Sequence, residues 1–88
     1  MPPLLKFIRL KSFDGCYQNL DPQIQKKVDK TPQKYAQDNP GLHLEKIEGT
    51  RDIWSIRVDR RYRLSFQRRR DVVALRTVDK HNRVCRAP

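Results

Sequence analysis

Between Asp52 and Phe66 apolar and polar side chains alternate, and no other stretch so narrows what the chain can fold into. The even positions carry Trp54, Ile56, Val58, Tyr62, Leu64 and Phe66, and the odd ones Ser55, Arg57, Arg61, Arg63 and Ser65. A period of two belongs to a strand with one buried face. Asp59-Arg60 breaks the run, so it makes two strands. If the even residues share a face, cross-strand partners must match in parity. That predicts the pairs Val58–Tyr62, Ile56–Leu64 and Trp54–Phe66, closed by a three-residue loop. The same register sets Arg57 opposite Arg63, with Arg61 beside them. Like charges facing across a ladder are mildly destabilising, and an anionic partner would relieve that. The expectation is a guanidinium face open to such a partner.

The flanking segments supply the rest of a small sheet. Leu5 to Leu10 reads as a first strand. Ser12 is placed to cap a helix whose stripe is Phe13, Cys16, Tyr17 and Leu20, with Gly15 weakening it. Asp21-Pro22 starts a second helix, an acceptor followed by proline at the first helical position. Ile24, Val28 and Tyr35 form its thin apolar stripe among Lys26, Lys27, Lys30 and Lys34. Pro32 either kinks this helix or begins another at Thr31-Pro32, and Asn39-Pro40-Gly41 stops it. Leu42 to Thr50 shows no period. After the basic turn Gln67–Asp71, Val72 to Val78 is a nearly continuous apolar strand, suited to an interior place in the sheet. Asp79–Arg83 reads as a polar turn, and Val84-Cys85-Arg86 as a short last strand. The class is α+β: a strand, two helices, then an antiparallel β-meander, with the helices on one face of a small twisted sheet. Residues 1–88 make a single domain.

Charge points to the partner. The chain has 88 residues, a net charge of +10 and a pI near 10.2. Such a balance suggests nucleic acid first, then a membrane surface or an acidic protein. Cys16 and Cys85 fit neither a disulfide framework nor a zinc pattern and read as reduced thiols. With no signal segment and no span-length apolar run, the expected location is the cytoplasm, away from the membrane. No metal-ligand cluster is visible, and no cofactor is expected.

Arginine forks match phosphate oxygens at two points. His81, which follows Lys80 after the last long strand, titrates near neutrality and can exchange a proton with a ribose 2′-hydroxyl or a leaving oxygen. Cleavage by that hydroxyl needs in-line geometry, a base, an acid and cations, but no metal. Arg63, Arg61 and Lys46 are the candidate catalytic cations. Arg57, Lys80, Arg83, Lys26 and Lys27 are candidate phosphate contacts. Glu45 and Glu48 could supply a carboxylate base, although charged loop residues are ordinarily surface. His43, between two leucines, and Trp54, on the apolar face, read as structural. Since Tyr62 and Phe66 are also on that face, few aromatics remain for base stacking of the RRM kind.

Ile24-Gln25-Lys26-Lys27-Val28, the hairpin from Gly49 through Asp52-Ile53-Trp54 to Phe66, and Asp79-Lys80-His81-Asn82 resemble the RelE/ParE toxin superfamily over nearly the whole chain. The resemblance implies a small α+β domain. Its RelE-like branch implies a ribosome-dependent mRNA endoribonuclease, an mRNA interferase, held in check by a cognate antitoxin in a toxin–antitoxin hetero-oligomer. It implies that Arg63, in Tyr62-Arg63-Leu64, stabilises charge at the scissile phosphate. It also implies that His81 stands at the late catalytic position and that Lys46 is the lysine before the hairpin. Glu48 stands where some members have a lysine or arginine, and Cys85 where many have a tyrosine. The ParE-like branch shares the fold but inhibits DNA gyrase without nuclease activity. That alternative stays open, as does an inactive basic RNA- or protein-binding domain.

Overall fold

The structure, a computed structural model, describes residues 5–37, 43–47, 49–50, 52–80 and 83. Two helices lie on one face of a five-stranded sheet. In chain order the elements are β1 (Lys6–Arg9), α1 (Lys11–Gln18), α2 (Pro22–Ala36), β2 (Glu45–Lys46), β3 (Ile53–Arg57), β4 (Tyr62–Arg69) and β5 (Val72–Lys80). The spatial order is β1-β5-β4-β3-β2. β1 runs parallel to β5, and every other neighbouring pair is antiparallel.

The hairpin takes the register that its alternation dictates. Trp54 lies opposite Phe66, Ile56 opposite Leu64 and Arg57 opposite Arg63. The Val58 N–H donates to the Tyr62 carbonyl, which leaves Asp59, Arg60 and Arg61 as the three-residue loop. Ile56, Leu64 and Phe66 are buried together with Phe13 of α1, Val28 of α2, and Val73, Leu75 and Val78 of β5. The helices therefore cover the even-numbered face of the hairpin, where burial of apolar surface drives packing.

β5 holds an interior position between β1 and β4, but its apolar run conceals a change of phase. Ser65 pairs with Thr77 while Phe66 pairs with Leu75, so Arg76 is an extra residue in the ladder. This bulge lets Val73, Leu75 and Val78 all face inward although their spacing is two and then three. The Arg76 carbonyl accepts a hydrogen bond from Ser12 Oγ at 2.6 Å. Ser12 is thus not the cap of α1. The N-cap is Leu10, whose side chain caps nothing, and Ser12 fastens the helix to the bulge.

Asp21 caps α2 as expected: its carboxylate accepts from the Gln23 N–H at 2.9 Å. The helix continues through Pro32 as one element. Thr31 joins Ile24, Val28 and Tyr35 on the inward stripe and returns its hydroxyl to the Lys27 carbonyl at 2.9 Å. That bond satisfies a buried polar group within the helix. Sequence periodicity does not reveal β2, since two residues are too few to show one. Asn39-Pro40-Gly41 and Val84-Cys85-Arg86 lie outside the described residues. No described helix is long and apolar enough to cross a membrane.

Candidate functional site

The polar face of the hairpin is built by register. Arg63 sits in the middle strand with Arg57 on one side and Asp79 on the other. Asp79 thus offsets the like-charge row that the hairpin alone would make. Behind them come Ser55, Ser65 and Thr77 in one row, with Ser65 and Thr77 hydroxyls bonded at 2.6 Å.

Arg63 departs from the open face expected of it. It is only 5% exposed. Its Nε donates to Ser55 Oγ at 3.0 Å, and its Nη2 donates to the carbonyls of His43 at 2.6 Å and Ser55 at 3.2 Å. Glu45 Oε2 lies 3.9 Å from the same Nη2. The small side chains of Ser55 and Ser65 leave room for the guanidinium to lie down on the sheet, and the segment leading into β2 closes over it. A fork held this way ties β2 to β3 and is not free to grip a solvent-exposed phosphate.

Arg57 is half-buried and its Nε makes a long bond, 3.4 Å, to the Asp59 carbonyl. Arg61 is exposed in the turn. That turn is set by Asp59, whose Oδ1 accepts from the N–H groups of Arg61 at 2.8 Å and Tyr62 at 2.9 Å. Lys27 Nζ reaches Asp59 Oδ2 at 3.3 Å, joining α2 to the turn. Lys27 is thereby committed to a carboxylate, whereas Lys26 is exposed beside it. Burial by itself would raise the Asp59 carboxyl, but the two N–H donors and Lys27 outweigh it and hold the group below the ordinary carboxylate value. A carboxyl lowered on folding contributes stability that is present above its unfolded value and is lost as pH falls through the folded one. Asp59→Asn should therefore cost about 1 kcal/mol at pH 7. Urea midpoints along an acid series should show the gap to wild type closing as pH falls through that lowered value.

Lys80 pairs with Tyr62 and so projects from the helix-facing side. It lines a cleft of about 470 Å³ between α1 and the ends of β4 and β5, with Cys16, Asn19, Tyr62, Asp79 and Arg83. Arg83 is exposed and stands 4.0 Å from Asp79 Oδ2. Lys46 pairs with Trp54, which also puts it on the helix-facing side, away from Arg57 and Arg63. The structure thus places Arg57, Arg61, Lys80 and Arg83 near the turn end of the hairpin, with Lys80 and Arg83 at the cleft beside α1 and Arg57 on the other face, and leaves Lys46 toward the far end of β3. His81, Glu48 and Cys85 lie outside the described residues.

Three contributors escape sequence reasoning. Asp59 and Asp79 organise the cations, and Ser55 makes the seat for Arg63. An Asp followed by two residues in a hairpin loop is a turn signal. A serine on each flank of an arginine is a hint of a buried fork.

No protein-family model and no curated protein sequence matches the chain. Solved structures do. A chain of a RelB–RelE antitoxin–toxin complex from Methanococcus jannaschii superposes with a TM-score of 0.72 at 19% identity, over 88% of this chain and 93% of that one. A RelE–RelB complex from Pyrococcus horikoshii OT3 gives 0.72 at 15% identity, over 92% and 99%. A YoeB dimer from Staphylococcus aureus gives 0.69 at 17% identity, over 90% and 99%. With its two helices on a five-stranded sheet matched nearly end to end, the chain adopts the fold of the RelE-like toxin superfamily.

Proposed function

We propose that this chain is the toxin of a toxin–antitoxin pair and cuts mRNA on the ribosome in the cytoplasm. The observation that carries the reading is the placement of Arg57, Arg61, Lys80 and Arg83 near the turn end of the hairpin on a RelE-like fold. In the reaction, the ribose 2′-oxygen attacks the adjacent phosphorus and loses its proton to a base. The P–O5′ bond breaks, the leaving oxygen takes a proton, and a 2′,3′-cyclic phosphate remains. Arg57 and Arg61 hold the phosphate and stabilise its growing charge. His81, next to Lys80 in sequence, exchanges the proton. Arg63 acts from beneath, as a fixed positive charge that positions β2 and β3. A cognate antitoxin is the protein partner, by analogy with the RelB-bound relatives, and its acidic surface would cover these cations.

Tightly controlled expression followed by mapping of mRNA 5′ ends tests the proposal. New ends in phase with codons are expected during growth arrest. Arg61→Ala should lower their yield about tenfold, and His81→Gln about a hundredfold. The burial of Arg63 favours one other reading, a ParE-like toxin that inhibits gyrase with no RNA chemistry. Intact mRNA together with blocked supercoiling would select it. Harmless overexpression would reject both in favour of an inactive basic binding domain.

A further inference from the structure

A second cavity lies at the opposite end of β4 from the hairpin turn. It measures about 440 Å³ and is lined by Tyr35, Leu44, Trp54, Phe66, Arg68 and Arg70. That is within the size range of small-ligand sites. Tyr35, Leu44, Trp54 and the buried Phe66 supply its apolar part. The Tyr35 and Phe66 rings lie 5.1 Å apart, Trp54 is only partly buried, and Leu44 is 47% exposed. Its rim is cationic. Arg68 is held in place over the Tyr35 ring at 5.9 Å, with Nη1 donating to Tyr35 Oη and Nε to the Arg70 carbonyl, both at 2.9 Å. Its Nη2 has no acceptor among the described residues. Arg70 sits in the left-handed region, at φ 57°, where an arginine costs about 1–2 kcal/mol that glycine would not. Lys46 stands beside Trp54 in the ladder on the same face. Among the described residues, none that lines it is acidic.

The geometry points to a binding site for one nucleotide of a single-stranded RNA, its base against Trp54 and Tyr35 and its phosphate on Arg68 and Arg70. A pre-oriented guanidinium recognises phosphate better than a mobile one, and aromatic surface accepts any base. Strain kept at a rim residue fits a ligand-facing role. The inference rests on the RNA-directed reading for its choice of polymer, but it assigns a subsite that takes no part in bond cleavage.

Trp54 is the chain's one tryptophan, so its fluorescence reports on this cavity. The intact protein is titrated with UMP, AMP and a 2′-O-methyl hexanucleotide, which cannot be cut. Saturable quenching is expected, weakened about tenfold by Arg68→Gln and again by Arg70→Gln, and weakened further by salt. Trp54→Phe, followed by anisotropy of a labelled hexamer, should retain binding because a stacking ring remains. Absence of quenching overturns the assignment. So does equal quenching by inorganic phosphate, indifference to both arginine substitutions, or quenching by an acidic peptide while nucleotides are silent. Quenching in a protein that leaves mRNA intact sinks the nuclease reading alone. Codon-phased cleavage without quenching sinks this inference alone.

Discussion

Arg63→Ala should unfold the protein at a temperature about 12–24 °C below wild type, corresponding to about 3 kcal/mol. The substitution removes the donor to two carbonyls and a hydroxyl on a side chain only 5% exposed. Each acceptor then loses this bond, and Glu45 loses the guanidinium 3.9 Å from it. β2 is just two residues long and has little else to hold it. Arg61→Ala, in the exposed turn, should melt within about 1 kcal/mol of wild type. The pair of melting curves matters for testing the proposed function. Loss of activity in the Arg63 variant reports on folding until the folded fraction is measured, while loss in the Arg61 variant would bear on the role proposed for that residue. A melting point for Arg63→Ala equal to wild type would show that the buried fork does not secure the sheet edge.

Phe66→Ala carries the other large expected effect. Phe66 is 1% exposed, lies in the middle strand between Trp54 and Leu75, and touches Tyr35 of α2. Truncation removes the transfer energy of a ring and leaves a void that the flanking strands cannot close, together about 3–5 kcal/mol. A chain of this length holds roughly 4–13 kcal/mol in all, so most of its stability is at stake. Urea denaturation should place the midpoint of Phe66→Ala far below that of Phe66→Leu, which keeps much of the volume and should cost under about 1.5 kcal/mol. Similar midpoints for the two variants would contradict the packing described here.

The hairpin was legible because its period of two extends over both strands, and parity alone then fixes the register. The helix starting at Asp21-Pro22 was legible because its cap is local. Ser12 misled because a serine before an apolar stripe also suits a long-range bond, here to a carbonyl exposed by a bulge 64 residues away. The bulge itself was written in the spacing of Val73, Leu75 and Val78, but an apolar run hides such a shift. Alternation told which face Arg63 would take. It could not tell that the face would be covered, since the cover comes from His43 and Glu45, in a segment without periodicity. The same limit applies to Lys46, whose side of the sheet depends on how a two-residue strand pairs with β3.

The parallel union of β1 with β5 also orders events during synthesis. Lys6 meets Val72, and Arg9 meets Leu75, so a strand made early stays unmatched until nearly the last strand has left the ribosome. Contacts this distant along the chain are slow to form, because a long loop must close before they repay the loss of freedom. The three-strand meander can assemble first, from neighbours joined by short turns. Nascent chains halted before residue 72 should thus lack a closed sheet, with β1 waiting for its only neighbour among the described strands.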